Sequence, residues 1–206
     1  MENVTEQESF WQGEFGNQYS DRNKNEKLLA SNLSLFSSVL KSTGKIDSLI
    51  EFGANIGMNL KSLKKLLPDA EISGIEINKK AYKNLEKLIG KKNSYCQSIN
   101  NFTFEKTYDL CLIKGVLIHI NPEQLSEVYH KLYLASKKYI LIAEYYNPTP
   151  VSMPYRGHEN KLFKRDFAGE MLDKFQDLFL LDYGFVYHRD NLFPQDDINW
   201  FLLKKK

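Results

Sequence analysis

The chain has 206 residues, of which 42% are hydrophobic and 26% charged, and its formal net charge is +2. This balance is typical of a globular protein, and the length predicts a single domain over residues 1–206 with a sizeable core. The near-neutral charge does not favour nucleic-acid binding, and we expect no nucleic-acid partner. No apolar run reaches the roughly 18 residues that a membrane span needs.

Residues 1–45 are predicted to form an N-terminal cap followed by a helix. The first residues are polar and acidic, unlike a secretory signal, and Cys96 and Cys111 lack metal-ligand spacing. We therefore expect a cytoplasmic protein with reduced thiols and no metal. Apolar side chains then recur every three or four residues from Leu29 to Leu40, which predicts an amphipathic helix.

Residues 46–144 are predicted to form a cofactor-binding core in which short apolar strands alternate with helices. The predicted strands are 48–52, 71–77, 94–97, 108–114 and 139–144, and the helices are 58–67, 79–89 and one that opens at Asn121. Strands that are apolar on both faces call for a parallel sheet covered by helices on both sides.

Residues 145–176 are predicted as a substrate loop, irregular up to residue 165, and a short helix. The strands 178–187 and 199–203 within residues 177–206 have no helix between them, so they should form an antiparallel hairpin. The sequence thus predicts a doubly wound α/β fold with a mostly parallel, seven-stranded, Rossmann-like sheet and a C-terminal antiparallel hairpin. This layout resembles that of class I methyltransferases.

A glycine-containing turn follows the first predicted strand, in the run Glu51-Phe52-Gly53-Ala54-Asn55-Ile56-Gly57. Glycines there let the backbone approach a ligand, and Asn55 tolerates the left-handed conformation that a further glycine would adopt. Glu76 ends the second strand, where a carboxylate can accept hydrogen bonds from both hydroxyls of a ribose. Together these features predict a nucleoside cofactor.

The glycine spacing favours one cofactor. A nicotinamide-dinucleotide turn would need glycines at positions 53, 55 and 58, and only Gly53 is present. The spacing of Glu51, Gly53 and Gly57 instead resembles motif I of methyltransferases, which implies S-adenosyl-L-methionine. A nicotinamide-dependent oxidoreductase and a non-catalytic nucleoside-binding module are the alternatives.

The same resemblance implies the other cofactor contacts. The residues after the third strand should face adenine, and those ending the fourth strand should border the sulfonium. The N-terminal aromatic segment either folds over the cofactor, with Arg22 bonding its carboxylate, or forms an aromatic core beside a surface arginine. The predicted cofactor-binding residues are Trp11, Tyr19, Arg22, Glu51, Gly53, Ala54, Asn55, Gly57, Glu76, Ile77, Gln97, Ser98, Ile99, Lys114 and Gly115.

The loop of residues 145–165 is basic, aromatic and rich in proline. It is either a solvated surface loop or a site for a small anionic acceptor with a polar ring, because it follows the fifth strand at the ligand-binding edge of the sheet. The predicted substrate-binding residues are Tyr146, Tyr155, Arg156, Lys161 and Arg165.

Methyl transfer needs an aligned nucleophile, and a hydroxyl nucleophile also gains from a general base. His119 follows the fourth strand, and the ordinary pKa of histidine suits a base near neutral pH. His158 in the basic loop is a second candidate, and Tyr145 could orient the nucleophile. A histidine packed within the strand-to-helix turn is the alternative for His119.

Several stretches of the chain together are similar to the family called pseudaminic acid biosynthesis-associated methylases. The similarity covers most of the chain, from about Phe10 to Leu203. It implies a class I methyltransferase that acts in nonulosonic acid pathways of surface glycans. We expect methyl transfer to an oxygen or nitrogen of a nonulosonic acid or nucleotide sugar, by a monomer or homodimer; another small metabolite is the alternative acceptor. The stretches are Trp11-Gln12-Gly13-Glu14-Phe15-Gly16, the glycine-containing turn, Gly115-Val116-Leu117-Ile118-His119-Ile120, Tyr155-Arg156-Gly157-His158, Arg189-Asp190-Asn191 and Asp196-Asp197-Ile198-Asn199-Trp200.

Overall fold

The structure is a computed structural model that describes residues 4–22 and 25–206, with only the backbone of Arg22. Its helices are α1 (Glu6–Gln12), α2 (Glu14–Arg22), α3 (Glu26–Leu40), α4 (Met58–Leu66), α5 (Lys79–Ile89), α6 (Leu125–Ala135) and α7 (Phe167–Lys174). Its strands are β1 (Ser48–Phe52), β2 (Glu71–Glu76), β3 (Ser94–Cys96), β4 (Tyr108–Lys114), β5 (Ser136–Glu144), β6 (Val151–Tyr155), β7 (His158–Lys164), β8 (Leu178–Val186) and β9 (Ile198–Lys205).

Seven strands form the main sheet, in the order β3-β2-β1-β4-β5-β9-β8. The first five pair in parallel, and β9 runs antiparallel to both β5 and β8. The predicted mostly parallel sheet and its C-terminal antiparallel hairpin are therefore confirmed. Strand order reverses beside β1, and the carboxyl ends of β1 and β4 meet at one edge, which is where open α/β sheets bind ligands.

The apolar strand patterns explain why the sheet is buried on both faces. Six of the seven residues of β4 are buried, and helices cover its two sides with separate apolar clusters. Asn78 caps α5 through its side-chain oxygen, and Gly90 ends that helix with φ of 84°. No helix among the described residues is long and apolar enough to cross a membrane.

The prediction of an irregular chain over residues 145–165 is wrong, because β6 and β7 pair there as a separate antiparallel hairpin. Its turn consists of Arg156 and Gly157, whose φ angles of 51° and 84° suit a tight two-residue hairpin turn. Pro154 lies where the register shifts, so the ladder does not need its missing N–H. The hairpin places Tyr155 and Arg156 over the sheet edge.

The N-terminal cap consists of two short helices, α1 and α2. A capping box opens α1: Thr5 accepts a hydrogen bond from the Glu8 backbone, while the Glu8 carboxylate accepts one from the Thr5 backbone. The two helices contact each other, and α2 also contacts α5. The cap therefore lies beside the carboxyl ends of β2 and β3.

Candidate active site

A cleft with a volume of about 890 Å³ opens at the carboxyl edge of the main sheet. Its walls come from the chain after β1, β2, β3, β4 and β5, from the N-terminal helices and from residues 194–199. This volume lies near the upper end of the roughly 300–1,000 Å³ of small-molecule sites. The cleft therefore has room for more than one small ligand.

The turn after β1 holds the end of β2 in place. Backbone N–H groups of Gly53 and Ala54 donate to the Ile75 carbonyl over 3.0 and 2.8 Å. Gly53 and Asn55 have φ of 79° and 50°, so the predicted left-handed conformation of Asn55 is confirmed. The backbone of this turn can therefore pass close to the Glu76 carboxylate at the end of β2.

Glu76 is fixed by two backbone donors. Its Oε2 accepts from the Asn55 N–H and its Oε1 from the Asn78 N–H, both over 2.7 Å. The side chain is 7% exposed, and burial raises its pKa to about 7. It lines the cleft, so its remaining lone pairs are available to ligand hydroxyls.

Two further buried carboxylates lie near the cleft. Asn59 donates to Glu51 over 2.6 Å, and burial raises the Glu51 pKa to about 8. Glu144 ends β5; its Oε1 accepts from the backbone N–H groups of Val116 and Leu117 over 2.9 Å each, and burial raises its pKa to about 7. Glu144 lines the cleft, whereas Glu51 lies outside its lining.

These raised pKa values predict that the ligand-free protein loses stability as the pH rises. Between the ordinary carboxyl pKa of 4.5 and about 8, folded Glu51 keeps a proton that the unfolded chain releases. The free energy of unfolding then falls by about 1.4 kcal/mol per pH unit for each proton so held. Thermal unfolding at several pH values should show this decline, and the neutral variant Glu51→Gln should show a shallower one. Parallel curves for the two proteins would contradict it.

The N-terminal helix is tied to the chain that follows β3. The Glu8 carboxylate accepts hydrogen bonds from the Ser98 hydroxyl and from Asn100 Nδ2, the latter over 3.3 Å. These bonds hold the pKa of Glu8 below its ordinary value, against the opposing effect of burial. Gln97 and Ser98 line the cleft here, at the predicted adenine position.

An aromatic cluster closes the cleft from above. The Trp11 ring lies 4.7 Å from the His119 ring and 5.3 Å from the Tyr19 ring, between ring centroids. The Tyr155 ring lies 4.7 Å from that of His119. Helix α1 and the β6–β7 hairpin thus meet over the end of β4. The side chain of Arg22, predicted to bond the cofactor carboxylate, lies outside the described residues.

His119 differs from the base expected near neutral pH. The ring is 6% exposed, its Nδ1 lies 2.5 Å from the Lys161 carbonyl oxygen, and burial lowers its pKa to about 4. Because a carbonyl only accepts, Nδ1 carries the proton and Nε2 is the free acceptor. The ring is therefore neutral at physiological pH and a weaker base than an exposed histidine; its catalytic role stays a prediction.

Three of the predicted catalytic and substrate-binding residues lie outside the cleft lining. The exposed His158 ring packs against Phe10, with ring centroids 5.0 Å apart. Lys161 is 5% exposed and pairs with the Glu6 carboxylate, and Arg165 pairs with Glu170 over 3.4 Å. Internal ion pairs therefore take up two of the four basic side chains of the predicted substrate loop.

Most predicted site residues do meet in one cleft, at the junction of the N-terminal cap, the main sheet and the β6–β7 hairpin. Besides the three residues above, Glu51 and Gly57 lie outside its lining. The predicted residues that line it are Trp11, Tyr19, Gly53, Ala54, Asn55, Glu76, Ile77, Gln97, Ser98, Ile99, Lys114, Gly115, His119, Tyr145, Tyr146, Tyr155 and Arg156.

The structure adds cleft residues that were not predicted from the sequence. Asn32 of α3 lines the cleft and accepts a hydrogen bond from Gln195 Nε2 over 3.1 Å. Glu8 was detectable, because Thr5 and Glu8 match the spacing of a capping box before a helix. The family resemblance included residues 196–199, but no local signal in the sequence places residues 194–199 at the cleft, because they reach it only through the pairing of β8 with β9.

Comparisons with solved structures find the same fold among methyltransferases. A plantazolicin methyltransferase in complex with S-adenosylhomocysteine has a TM-score of 0.67 and 17% identity, covering 97% of this chain and 94% of that one. A magnesium protoporphyrin IX methyltransferase from Synechocystis with bound S-adenosylmethionine has a TM-score of 0.68 and 12% identity, with complete coverage of both chains. A 1,6-didemethyltoxoflavin-N1-methyltransferase from Burkholderia thailandensis, with bound 1,6-didemethyltoxoflavin and S-adenosylhomocysteine, has a TM-score of 0.72 and 12% identity, covering 100% of this chain and 92% of that one.

No protein-family model and no curated protein matches the sequence. The resemblance to the pseudaminic acid-associated methylases is therefore not confirmed. Because the sequence identities to the solved structures are low, these similarities show the fold and nothing more specific. The chain has the Rossmann-like α/β fold of S-adenosylmethionine-dependent methyltransferases.

Proposed function

We propose that the protein transfers a methyl group from S-adenosyl-L-methionine to a small acceptor. The observation that carries this proposal is the Glu76 carboxylate, held by two backbone N–H groups at the end of β2 inside the cleft. A carboxylate at this place can accept both hydroxyl hydrogens of a ribose. The bound cofactors of the fold neighbours support the same assignment.

The cleft residues fit such a cofactor. Asn55 Oδ1, Asn100 Oδ1 and Asn32 Nδ2 are buried at the cleft without a hydrogen-bond partner among the described residues. Buried polar atoms without partners cost free energy, so a ligand that offers donors and acceptors would satisfy them. S-adenosylmethionine, with its adenine, ribose, ammonium and carboxylate groups, carries both kinds of group.

Named residues would bind each part of the cofactor. Glu76 would hold the ribose, and the chain from Gln97 to Ile99 would border adenine. Lys114 and Gly115 would border the sulfonium, whose methyl group is what the cofactor supplies when bound. Trp11 would cover the site and exclude water. An acceptor in line with the methyl group then reacts mainly because it is held in position.

The acceptor that we propose is a small anionic sugar-type molecule, a nonulosonic acid or nucleotide sugar, methylated on oxygen or nitrogen. Arg156 and Lys164 line the cleft and offer positive charge to it, and the sequence resemblance implies the same class. The acidic side chain of Asp196 also lines the cleft. The proposal therefore rests on these two basic residues and not on an overall positive charge of the cleft. His119 and Tyr145 are the proposed groups nearest the reacting atoms.

A transfer assay with tritium in the cofactor methyl group tests this function. We expect label to reach at least one of N-acetylneuraminic acid, its cytidine monophosphate derivative and UDP-glucuronic acid, and not uncharged methyl glucoside. Arg156→Ala should raise KM for that acceptor with little change in kcat, because the guanidinium binds ground state and transition state alike. Transfer only to uncharged acceptors would contradict the anionic class.

A further inference from the structure

Five aromatic side chains near the carboxyl edge of the main sheet form two neighbouring groups, Tyr146, Tyr183 and Phe201 in one and Phe185 and Tyr187 in the other; we call them together the aromatic stripe. The Phe201 ring lies 6.0 Å from Tyr146 and 6.5 Å from Tyr183, between centroids. Tyr183 and Phe201 are register partners on β8 and β9, so both point to the same face. The Phe185 and Tyr187 rings lie 6.1 Å apart.

Four of the five side chains of the stripe are exposed to solvent, whereas Phe201 is half-buried. Tyr183 is 67% exposed, Phe185 54%, Tyr187 45% and Tyr146 40%. The neighbouring Asp182 alternates to the other face of β8 and accepts a hydrogen bond from the Ser42 hydroxyl of α3's C-terminal turn. Exposed apolar patches of this kind mark binding surfaces.

The stripe is continuous with the cleft. Tyr146 and Phe185 belong both to the stripe and to the cleft lining. Because β8 runs parallel to β5, its carboxyl end, after Phe185, lies at the same sheet edge as Glu144. A molecule with one end in the cleft can therefore lie along the stripe without a break in contact.

The size of the stripe suits a small molecule better than a second copy of the chain. Half-exposed aromatic side chains offer on the order of 100 Å² each, so the stripe offers a few hundred Å². A stable dimer buries roughly 800 Å² on each partner, from about 20–30 residues. Flat aromatic faces and tyrosine hydroxyls suit stacking with a planar ring.

We propose that the aromatic stripe binds a planar, uncharged ring system carried by the acceptor, while the acceptor's reacting group lies in the cleft. This inference rests on the proposed function, because the bound molecule is a methyl acceptor only if the protein transfers methyl groups. A nucleotide sugar, with a planar base joined to its sugar, is one acceptor with this form. Binding energy from the ring would then position the distant reacting group.

The test uses N-phenyl-1-naphthylamine, an uncharged fluorescent aromatic probe, titrated into the full-length protein saturated with S-adenosylhomocysteine. We expect saturable binding that the double variant Tyr183→Thr/Tyr187→Thr weakens roughly tenfold, because two stacking rings are lost. Threonine suits the exposed strand position of Tyr183, Tyr187 lies just beyond the end of β8, and neither tyrosine lines the cleft. S-adenosylhomocysteine affinity should stay the same in the variant.

Leu134→Thr is the matched control, since Leu134 is 43% exposed on α6, away from the stripe, and should leave probe binding unchanged. Equal probe affinity in the wild type and the double variant would overturn the proposal. A wild-type dimer in sedimentation that the double variant dissociates would overturn it in favour of a second copy. Wild type that fails to bind S-adenosylhomocysteine would overturn the proposed function itself, and the cofactor titration shows this independently of the probe.

Discussion

Glu76→Ala should weaken S-adenosylhomocysteine binding by about 1–3 kcal/mol, roughly 5- to 150-fold. The variant removes the carboxylate that would accept the ribose hydroxyls and leaves the N–H groups of Asn55 and Asn78 without their partner. Isothermal titration calorimetry measures the change. Glu105→Ala, at an exposed position away from the cleft, is the control and should bind as wild type does.

The pH dependence of S-adenosylhomocysteine affinity tests whether the ionised carboxylate of Glu76 is the group that binds the ribose. Ribose hydroxyls donate to the ionised form of Glu76, whose pKa in the ligand-free protein is about 7. Wild-type affinity should therefore rise with pH up to about 7 and level off above it. Glu76→Gln keeps one acceptor oxygen but cannot ionise, so its affinity should lack this rise. A folded Glu76→Ala protein that binds within about twofold of wild type would refute the role of Glu76.

Gly16→Ala should disrupt the N-terminal cap and with it the cleft. A Cβ atom added at Gly16 would overlap the Trp11 carbonyl oxygen and would lie 2.9 Å from Asn78 Nδ2. Because a backbone atom cannot give way as a flexible side chain does, α1 and α2 would have to separate. We expect a loss of about 1–3 kcal/mol in the free energy of unfolding. Cofactor affinity should fall as well, since Trp11 and Tyr19 line the cleft.

Gly13→Ala provides the matched control in the same segment. Gly13 has a negative φ of −85°, and an added Cβ would lie 3.1 Å from the Ser9 carbonyl oxygen, a tight contact but not the overlap that occurs at Gly16. Its effect on chemical unfolding and on S-adenosylhomocysteine affinity should be clearly smaller. Equal effects of the two substitutions would show that the close contact of Gly16 with Trp11 does not matter.

The sequence predicted the main sheet well because its signals are local. Continuous apolar runs identify strands buried on both faces, and Asn78, Gly90 and Asn121 mark helix ends through their own capping chemistry. The turn from Gly53 to Gly57 was likewise detectable, since positive φ angles favour glycine and asparagine.

The β6–β7 hairpin escaped prediction because its signals conflict. Residues 145–165 contain three prolines, one of them within β6, and the arginine at the first turn position is unlike the Asn-Gly or Asp-Gly turns typical of hairpins. The ion-pair partners of its basic residues could not be predicted from the nearby sequence either. Lys161, for example, pairs with Glu6, which lies more than 150 positions earlier in the chain. Only the folded chain shows that this charge lies inside the protein.

The candidate site was predictable where chemistry and strand ends coincide, as at Glu76, and less so where burial changes the chemistry. The ordinary pKa of histidine suggested that His119 is a base near neutral pH, but packing against Trp11 and Tyr155 lowers its pKa to about 4. Burial of this kind depends on α1 and the β6–β7 hairpin meeting over β4, which no local pattern indicates.

The most direct test of the central claim is a calorimetric titration of the wild-type protein with S-adenosylhomocysteine and, separately, with NAD. The proposed function predicts saturable one-to-one binding of S-adenosylhomocysteine, with a dissociation constant on the order of micromolar, and no comparable binding of NAD. Binding of NAD instead, or of neither ligand, would contradict the assignment of the cleft to a methyl donor.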